Sequence, residues 1–330
     1  MKCIHFGAGN IGRGLIAQLY QENNIEMVFV DVSTETINKI NELKTYQIEC
    51  VPSNKKITIN NIKGINSITQ KQELIEELKN ADMITTSIGV NNIERILDNI
   101  IEALQKRTKE NKLIFACFEN GYLASQQMYQ QVIDKDINLK NKIGYVNIIV
   151  DRLVPNQLDK NSLNVKVEDF YSVWYSKENK DFCFPFKSAI EVDNYNNFFK
   201  KKFYGVNGLH FLIALTGYHF NHKFINDTIN DPNALEMINS LIDELIYPIA
   251  KLTNQSEQDI KKYLSNNVIR FANNYLKDEI ERVARNAKQK LFDENERIMP
   301  IVNCLKENNK EFKTLNQLIE IGKKYIESQK

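Results

Sequence analysis

The chain has 330 residues, 42% of them hydrophobic and 26% charged, which is ordinary for a globular protein and long enough for two domains. Six prolines and twelve glycines are too few for a fibrous or linker-rich chain, and a net charge of +1 suggests neither a nucleic acid nor a membrane surface as partner. No run approaches the eighteen or so apolar residues that span a bilayer, and Met1 leads straight into a short apolar segment, so neither a membrane span nor a signal peptide is expected and the chain reads as cytoplasmic.

In chain order, residues 2–6 read as a strand, 11–21 as a helix and 26–31 as a second strand. Ser33 is placed to cap a helix running to about Leu43, with Glu35 in its first turn. Residues 46–68 read as short strands and turns, an insertion in the series. Thr69 and Gln72 have capping-box spacing before a helix around 74–78. There follow a strand at 83–87, a helix at 93–105, a strand at 113–117, a helix at 121–133 and a strand at 143–150. Such alternation specifies a parallel sheet covered on both faces. Residues 163–190 read as an antiparallel addition with strands at 165–167 and 172–175. From Asn194 onward the apolar period is helical, as in 234–249, 259–271 and 276–291. The fold class is therefore α/β: a Rossmann-type mixed-sheet domain over 1–190, then a mainly α-helical domain over 191–330.

Gly7-Ala8-Gly9-Asn10-Ile11-Gly12 fits GxGxxG between the first strand and first helix. Gly7 permits the tight turn, Gly9 lets backbone amides approach a pyrophosphate, and Gly12 allows the helix to pack close to the strand. Asp31 ends the second strand, where a carboxylate accepts hydrogen bonds from the adenosine ribose and repels a 2′-phosphate, so the expected cofactor is NAD. Arg13 either adds a charge-assisted contact to the pyrophosphate or is a solvated helix residue. Thr86 and Ser87 end a later strand at the carboxyl edge of the sheet, beside the nicotinamide half of the cofactor, unless their hydroxyls serve only as caps.

A second constellation opens the helical half. On an α-helix, Asn207 and His210 lie at roughly 140° and 80° from Lys202, and the span from Lys202 to His210 is about 12 Å, suited to one sugar-sized molecule. A desolvated lysine can serve as a base near neutral pH, and an amide beside it can hold an alkoxide or carbonyl oxygen. Lys200-Lys201-Lys202 is also a charge run, for which a solvated face is the default.

Lys202-(four residues)-Asn207-(two)-His210 resembles the signature of the polyol-specific long-chain dehydrogenases and reductases. So do the opening run 5–14, Ala116-Cys117 with Glu119-Asn120, the run 150–155, and Arg270-Phe271 through Asp278 to Glu281-Arg282-Val283-Ala284-Arg285, all in the same order. The resemblance implies metal-independent hydride transfer between NAD and a sugar alcohol phosphate. It makes Lys202 the general base, Asn120 and Asn207 the oxyanion site, and His210 the residue that orients the substrate; Asp151 and Arg152 lie near that site. Arg282 and Arg285, an i, i+3 pair on one helical face, either bind the substrate phosphate, with help from Arg297 or Lys290, or belong to a salt-bridged helix with Glu279 and Glu281.

The chain departs from the family pattern in two places. Phe118 stands as an apparent extra residue between Cys117 and Glu119, and Asn286-Ala287-Lys288 follows Arg285 where a proline and a further arginine are expected. An unphosphorylated polyol or a hexuronate therefore stays open as substrate, and a non-catalytic NAD-binding regulator is the rival outside enzymes. A small molecule is the expected partner of a monomer or homodimer. His210, His219 and His222 lack acidic or cysteine ligands at zinc spacing, so no metal site is expected; His5 reads as packed core and Phe182, Phe184 and Phe186 as a strand face. Five scattered cysteines without a CxxC pair read as reduced thiols.

Overall fold

Side chains alternate along each short β-branched strand, so a strand with apolar residues at every position must be covered on both faces. Cys3, Met27, Phe29 and Met83 enter one buried cluster, while Ile4, Phe6, Val28, Val30 and Ile84 enter the other. The computed structural model describes residues 1–155, 157, 159, 161–176 and 182–329. It divides into two units, Met1–Tyr195 and Asn196–Lys330.

The first unit contains β1 (Lys2–Phe6), β2 (Glu26–Asp31), β3 (Thr45–Val51), β4 (Lys55–Asn60), β5 (Lys63–Asn66) and β6 (Met83–Thr86). Then come β7 (Leu113–Cys117), β8 (Ile143–Tyr145), β9 (Ile148–Asp151), β10 (Val165–Glu168), β11 (Ser172–Ser176) and β12 (Ile190–Val192). Six strands form one sheet in the order β5-β2-β1-β6-β7-β8, paired in parallel throughout. The order reverses between β1 and β6, the switch point where open α/β sheets bind ligands.

Several local expectations are corrected. Residues 143–150 are not one strand: β8 closes the parallel sheet, and β9 leaves it to pair antiparallel with β11. Buried Asn147 sits at the break and accepts the Gln126 N–H at 3.1 Å. The addition is not wholly antiparallel, since β10 runs parallel to β3 and β12 parallel to β11; its residues 177–181 lie outside the described residues. Phe184 and Phe186 pack their rings edge to face beside Tyr20, Phe118 and Tyr175, but 182–186 form no strand. The Thr69–Gln72 capping box is absent: Asn66 Oδ1 accepts the N–H groups of Ile68 and Thr69, and the helix starts at Lys71. The helix expected from 121 starts at Ala124, after Leu123 in a left-handed conformation (φ 51°).

In the second unit Ser33-type logic recurs, with Asp231 capping Pro232–Thr253 and Ser256 capping Glu257–Phe271. The expected helix over 276–291 is broken into Ile280–Ala284 and Ala287–Phe292. Arg285 leaves the helical conformation (φ −52°, ψ 140°) and Asn286 is left-handed (φ 58°), and Lys290 Nζ donates to the Val283 carbonyl at 2.9 Å.

Candidate active site

The glycine loop follows β1. Gly7 has φ +112°, which favours glycine, and a Cβ there would come within 2.9 Å of Ser87 O and Oγ. A Cβ on Gly12 would fall 2.0 Å from Gly7 O, so the third glycine is needed for close packing. Nothing lies within 4 Å of a Cβ built on Gly9, leaving the open cradle a pyrophosphate requires. Ala8 is buried, whereas Gly9 is exposed and Asn10 and Ile11 are half-buried. Asn10 Nδ2 donates to Pro155 O at 3.2 Å. The helix then begins with a π turn, Gly12–Ile16.

Asp31 has a second role beside the one expected of it. Its Oδ2 accepts the Ala8 N–H at 2.7 Å and its Oδ1 the Ser33 N–H at 2.9 Å, so it also shapes the loop. Arg13 does not point into solvent: its Nη1 donates to the carbonyls of Ser162 and Leu163 at 3.1 and 2.9 Å. Thr86 is fully buried, and Ser87 is the more open of that pair. Ser87 Oγ lies 3.0 Å from His5 Nε2, and His5 Nδ1 lies 2.8 Å from Thr85 Oγ1. Burial pushes the His5 imidazole down to about 3, so it is a neutral strut beneath the loop.

Asn120 is exposed, three residues past the carboxyl end of β7. Phe118 is accommodated by burial, its N–H donating to Thr86 O at 2.9 Å. Glu119, which sequence reasoning left without a role, is buried and accepts the N–H groups of Ile88 and Gly89 at 2.8 and 3.0 Å, while burial raises its carboxyl pKa. It ties the Asn120 turn to the end of β6. Asp151 ends β9 and is buried.

Arg152 corrects an expectation. It is buried, and its five N–H donors are engaged by the protein: Nε and Nη2 by Glu168 O, Nη1 by Gly14 O and Gln18 Oε1, Nη2 also by Cys50 Sγ. With no donor left for a substrate, it acts as a fastener between β10 and the π turn.

The helical unit carries Lys202, Asn207 and His210 on one interrupted helix: Tyr195–Lys202, a π segment Phe203–Gly208, then Leu209–His219. The π segment corrects the angles expected of a regular helix. Its i→i+5 bonding, as in Leu209 N–H to Tyr204 O, adds one residue to the turn, so His210 stands as if seven residues after Lys202, roughly 20° away. Two features hold this bulge. Gly205 lets the ring of Tyr263 approach to where a Cβ would be 2.8 Å away, and Asn267 donates to Gly205 O at 3.4 Å. Lys202 is 8% exposed, so the lysine run is no solvated face. Its neighbour Lys201 lies 4.6 Å over the Tyr263 ring.

His210 stacks on Phe271 (4.5 Å, 23°), and its Nε2 lies 3.3 Å from Asp278 Oδ2. Asp278 receives Arg282 through two bonds of 2.6 Å. Arg285 sits outside the helix at its C-cap, so it and Arg282 are not a helical i, i+3 pair. A basic group nevertheless forms: burial, then the charges of Arg297, Arg282 and Arg285, against Glu296, lower Lys290 to about 8. Lys290 lies 5.4 Å over the Phe211 ring and Arg297 5.0 Å over the Phe203 ring. The three neighbouring histidines of the sequence are used separately, His222 facing Asp231 at 3.4 Å. Among the described residues no group of three or more His, Cys, Asp or Glu side chains is placed to hold a metal ion, and no helix is long and apolar enough to cross a membrane.

Residues 1–182 match the model of the mannitol dehydrogenase Rossmann domain, and residues 194–330 that of the mannitol dehydrogenase C-terminal domain. The chain is 34% identical over 315 residues to a mannitol-1-phosphate 5-dehydrogenase of Thermoanaerobacter pseudethanolicus, covering 92% of this chain and 81% of that protein. It is 34% identical over 330 residues to the protein of that name from Mycoplasmopsis pulmonis, covering 98% and 85%. Among solved structures, it resembles a Pseudomonas fluorescens mannitol 2-dehydrogenase in ternary complex with NAD and D-mannitol, with TM-score 0.80, 15% identity and coverage of 98% of this chain and 78% of that one. A substrate-free D-sorbitol dehydrogenase gives TM-score 0.79 at 15% identity, covering 97% and 79%. The structural likenesses speak for the fold, and the sequence matches extend through both units in order. The chain belongs to the mannitol dehydrogenase family.

Proposed function

We propose that the protein oxidises D-mannitol 1-phosphate to D-fructose 6-phosphate with NAD, and runs the reverse reduction, with Lys202 as general base and without a metal ion. The observation that carries this reading is a buried lysine on the same helix stripe as His210, with Asn207 within the π turn joining them. The names of the curated relatives support the substrate.

The Gly7–Gly12 loop and Asp31 fit NAD: Gly9 is open, and Asp31 keeps carboxylate lone pairs beyond those used by Ala8 and Ser33. NAD, when bound, supplies the hydride acceptor. In oxidation Lys202 takes the hydroxyl proton as the carbon loses hydride. The developing oxygen charge falls to the Lys202 ammonium and the Asn207 amide, and the resemblance implies the same use for the Asn120 amide. His210 orients a neighbouring hydroxyl.

The phosphate reading draws on the basic group of Arg282, Arg285, Lys290 and Arg297, whose mutual repulsion a dianion relieves. Asp278 occupies the Nε edge of Arg282, leaving its Nη1 donors for an anion. Following NADH absorbance with fructose 6-phosphate, fructose and fructuronate tests the substrate. Turnover of fructose 6-phosphate is expected. Activity on fructose or fructuronate alone points to a mannitol 2-dehydrogenase or a hexuronate reductase, and NADH binding without turnover to a regulator.

A further inference from the structure

Asp278 lies in the second unit, between the two features that the proposed function uses there. Its backbone is pinned from a neighbouring segment: Ile225 N–H donates to Asp278 O at 2.9 Å, Ile280 N–H to Lys223 O at 3.0 Å, and Phe224 bridges Glu279. Its carboxylate then meets His210 on one side and Arg282 on the other.

We propose that Asp278 is a positioning residue that holds His210 in its Nε2–H tautomer, so that the ring meets a substrate hydroxyl through Nδ1 as a hydrogen-bond acceptor. The proposal rests on the reading of His210 as the substrate-orienting residue. Which imidazole nitrogen carries the proton is set by what the other ring atoms face. An unprotonated Nε2 would set its lone pair against Asp278 Oδ2 at 3.3 Å, whereas a protonated Nε2 is attracted to it. The carboxylate is ionised: burial works to raise its pKa, yet the bonds from His210 and Arg282 and the Arg282 charge hold it below its ordinary value. The stack on Phe271 fixes the ring plane, so the tautomer and the direction of Nδ1 are set together.

The consequence is chemical selectivity. A neutral Nδ1 accepts from a hydroxyl and repels a carboxylate or keto oxygen, which suits a polyhydric chain. Because the same carboxylate grips Arg282 at 2.6 Å, it also couples the hydroxyl-orienting ring to the phosphate-facing guanidinium.

The test uses the full chain labelled with [15N]histidine, with NADH present, at pH 8.5, above the ordinary imidazole range of about 6.5. Long-range 1H–15N spectra resolve the four histidines, and His210→Asn identifies the His210 signals. The expected result is a single Nε2–H tautomer in the wild type and a mixture in Asp278→Leu. On fructose 6-phosphate, Asp278→Leu should lose about 10- to 100-fold in kcat with NADH affinity unchanged, and Asp278→Glu should recover part of it. A wild-type ring protonated on Nδ1 overturns the proposal whatever the kinetics, and needs no Asp278 variant. A folded Asp278→Leu that keeps the wild-type tautomer and kcat overturns it too. If fructose 6-phosphate is not turned over at all, the substrate assignment fails while the tautomer result still decides the role of Asp278.

Discussion

Asp31 accepts the backbone N–H of Ala8 at 2.7 Å, so the carboxylate proposed to read a ribose also closes the glycine loop. A charge-assisted bond of this kind contributes about 1.5–3 kcal/mol. Asp31→Ala is therefore expected to weaken NADH binding by at least about 10- to 100-fold, measured by fluorescence titration, without gaining NADPH affinity, because the loop is lost along with the ribose contact. An Asp31→Ala protein that binds NADPH well would mean that the carboxylate acts on the ribose alone.

Lys202 is proposed as the base. A positioned general base is worth about 10²- to 10⁴-fold, so Lys202→Ala is expected to lose that much kcat in both directions while its NADH dissociation constant stays within about two-fold. Normal turnover in this variant would remove Lys202 from the mechanism.

Lys290 is lowered to about 8 by burial and by the charges of Arg297, Arg282 and Arg285, against Glu296. A lysine whose pKa is depressed is charged below that value and neutral above it. Its attraction for a phosphate is thus full well below pH 8 and fades as pH rises through it. The KM for fructose 6-phosphate should climb above about pH 8 in the wild type and stay flat in Lys290→Arg, which keeps its charge. An identical rise in both proteins would assign the effect elsewhere.

Arg152 spends its donors on Gly14 O, Gln18, Cys50 and Glu168 O, and lies 5.3 Å over the Tyr171 ring. Arg152→Met leaves buried carbonyls unsatisfied, at roughly 1–3 kcal/mol each. Chemical denaturation should show a loss of about 3 kcal/mol or more, with KM for substrate little changed in the protein that remains folded. A stable variant with a raised KM would restore Arg152 to the substrate.

Much of the fold was legible because it is written locally. Short, mainly apolar segments marked β1, β2 and β7 to the residue, and Ser33 does cap its helix, accepting the Thr36 N–H at 3.2 Å. GxGxxG carries its own steric explanation, since Gly7 and Gly12 have no room for a Cβ. The failures were of a different kind. Period counting joined β8 to β9 and bridged the break at Arg285–Asn286, because an interruption of one or two residues leaves an apolar pattern almost unchanged.

The sequence by itself determined the strand-and-helix order, the glycine loop, the acid at the end of β2 and the lysine–asparagine–histidine spacing, all of which depend on neighbours close in the chain. Only the tertiary structure decided what the charged side chains do. The contacts of Arg152 with Gly14 and of Asp278 with His210 have no local signature, since these partners lie more than sixty residues apart and are found by packing alone. The π turn at Phe203–Gly208 likewise depends on Tyr263 and Asn267 from another helix. Even Asp31, whose position was plain, gained its hold on the loop from β1 and β2 lying side by side.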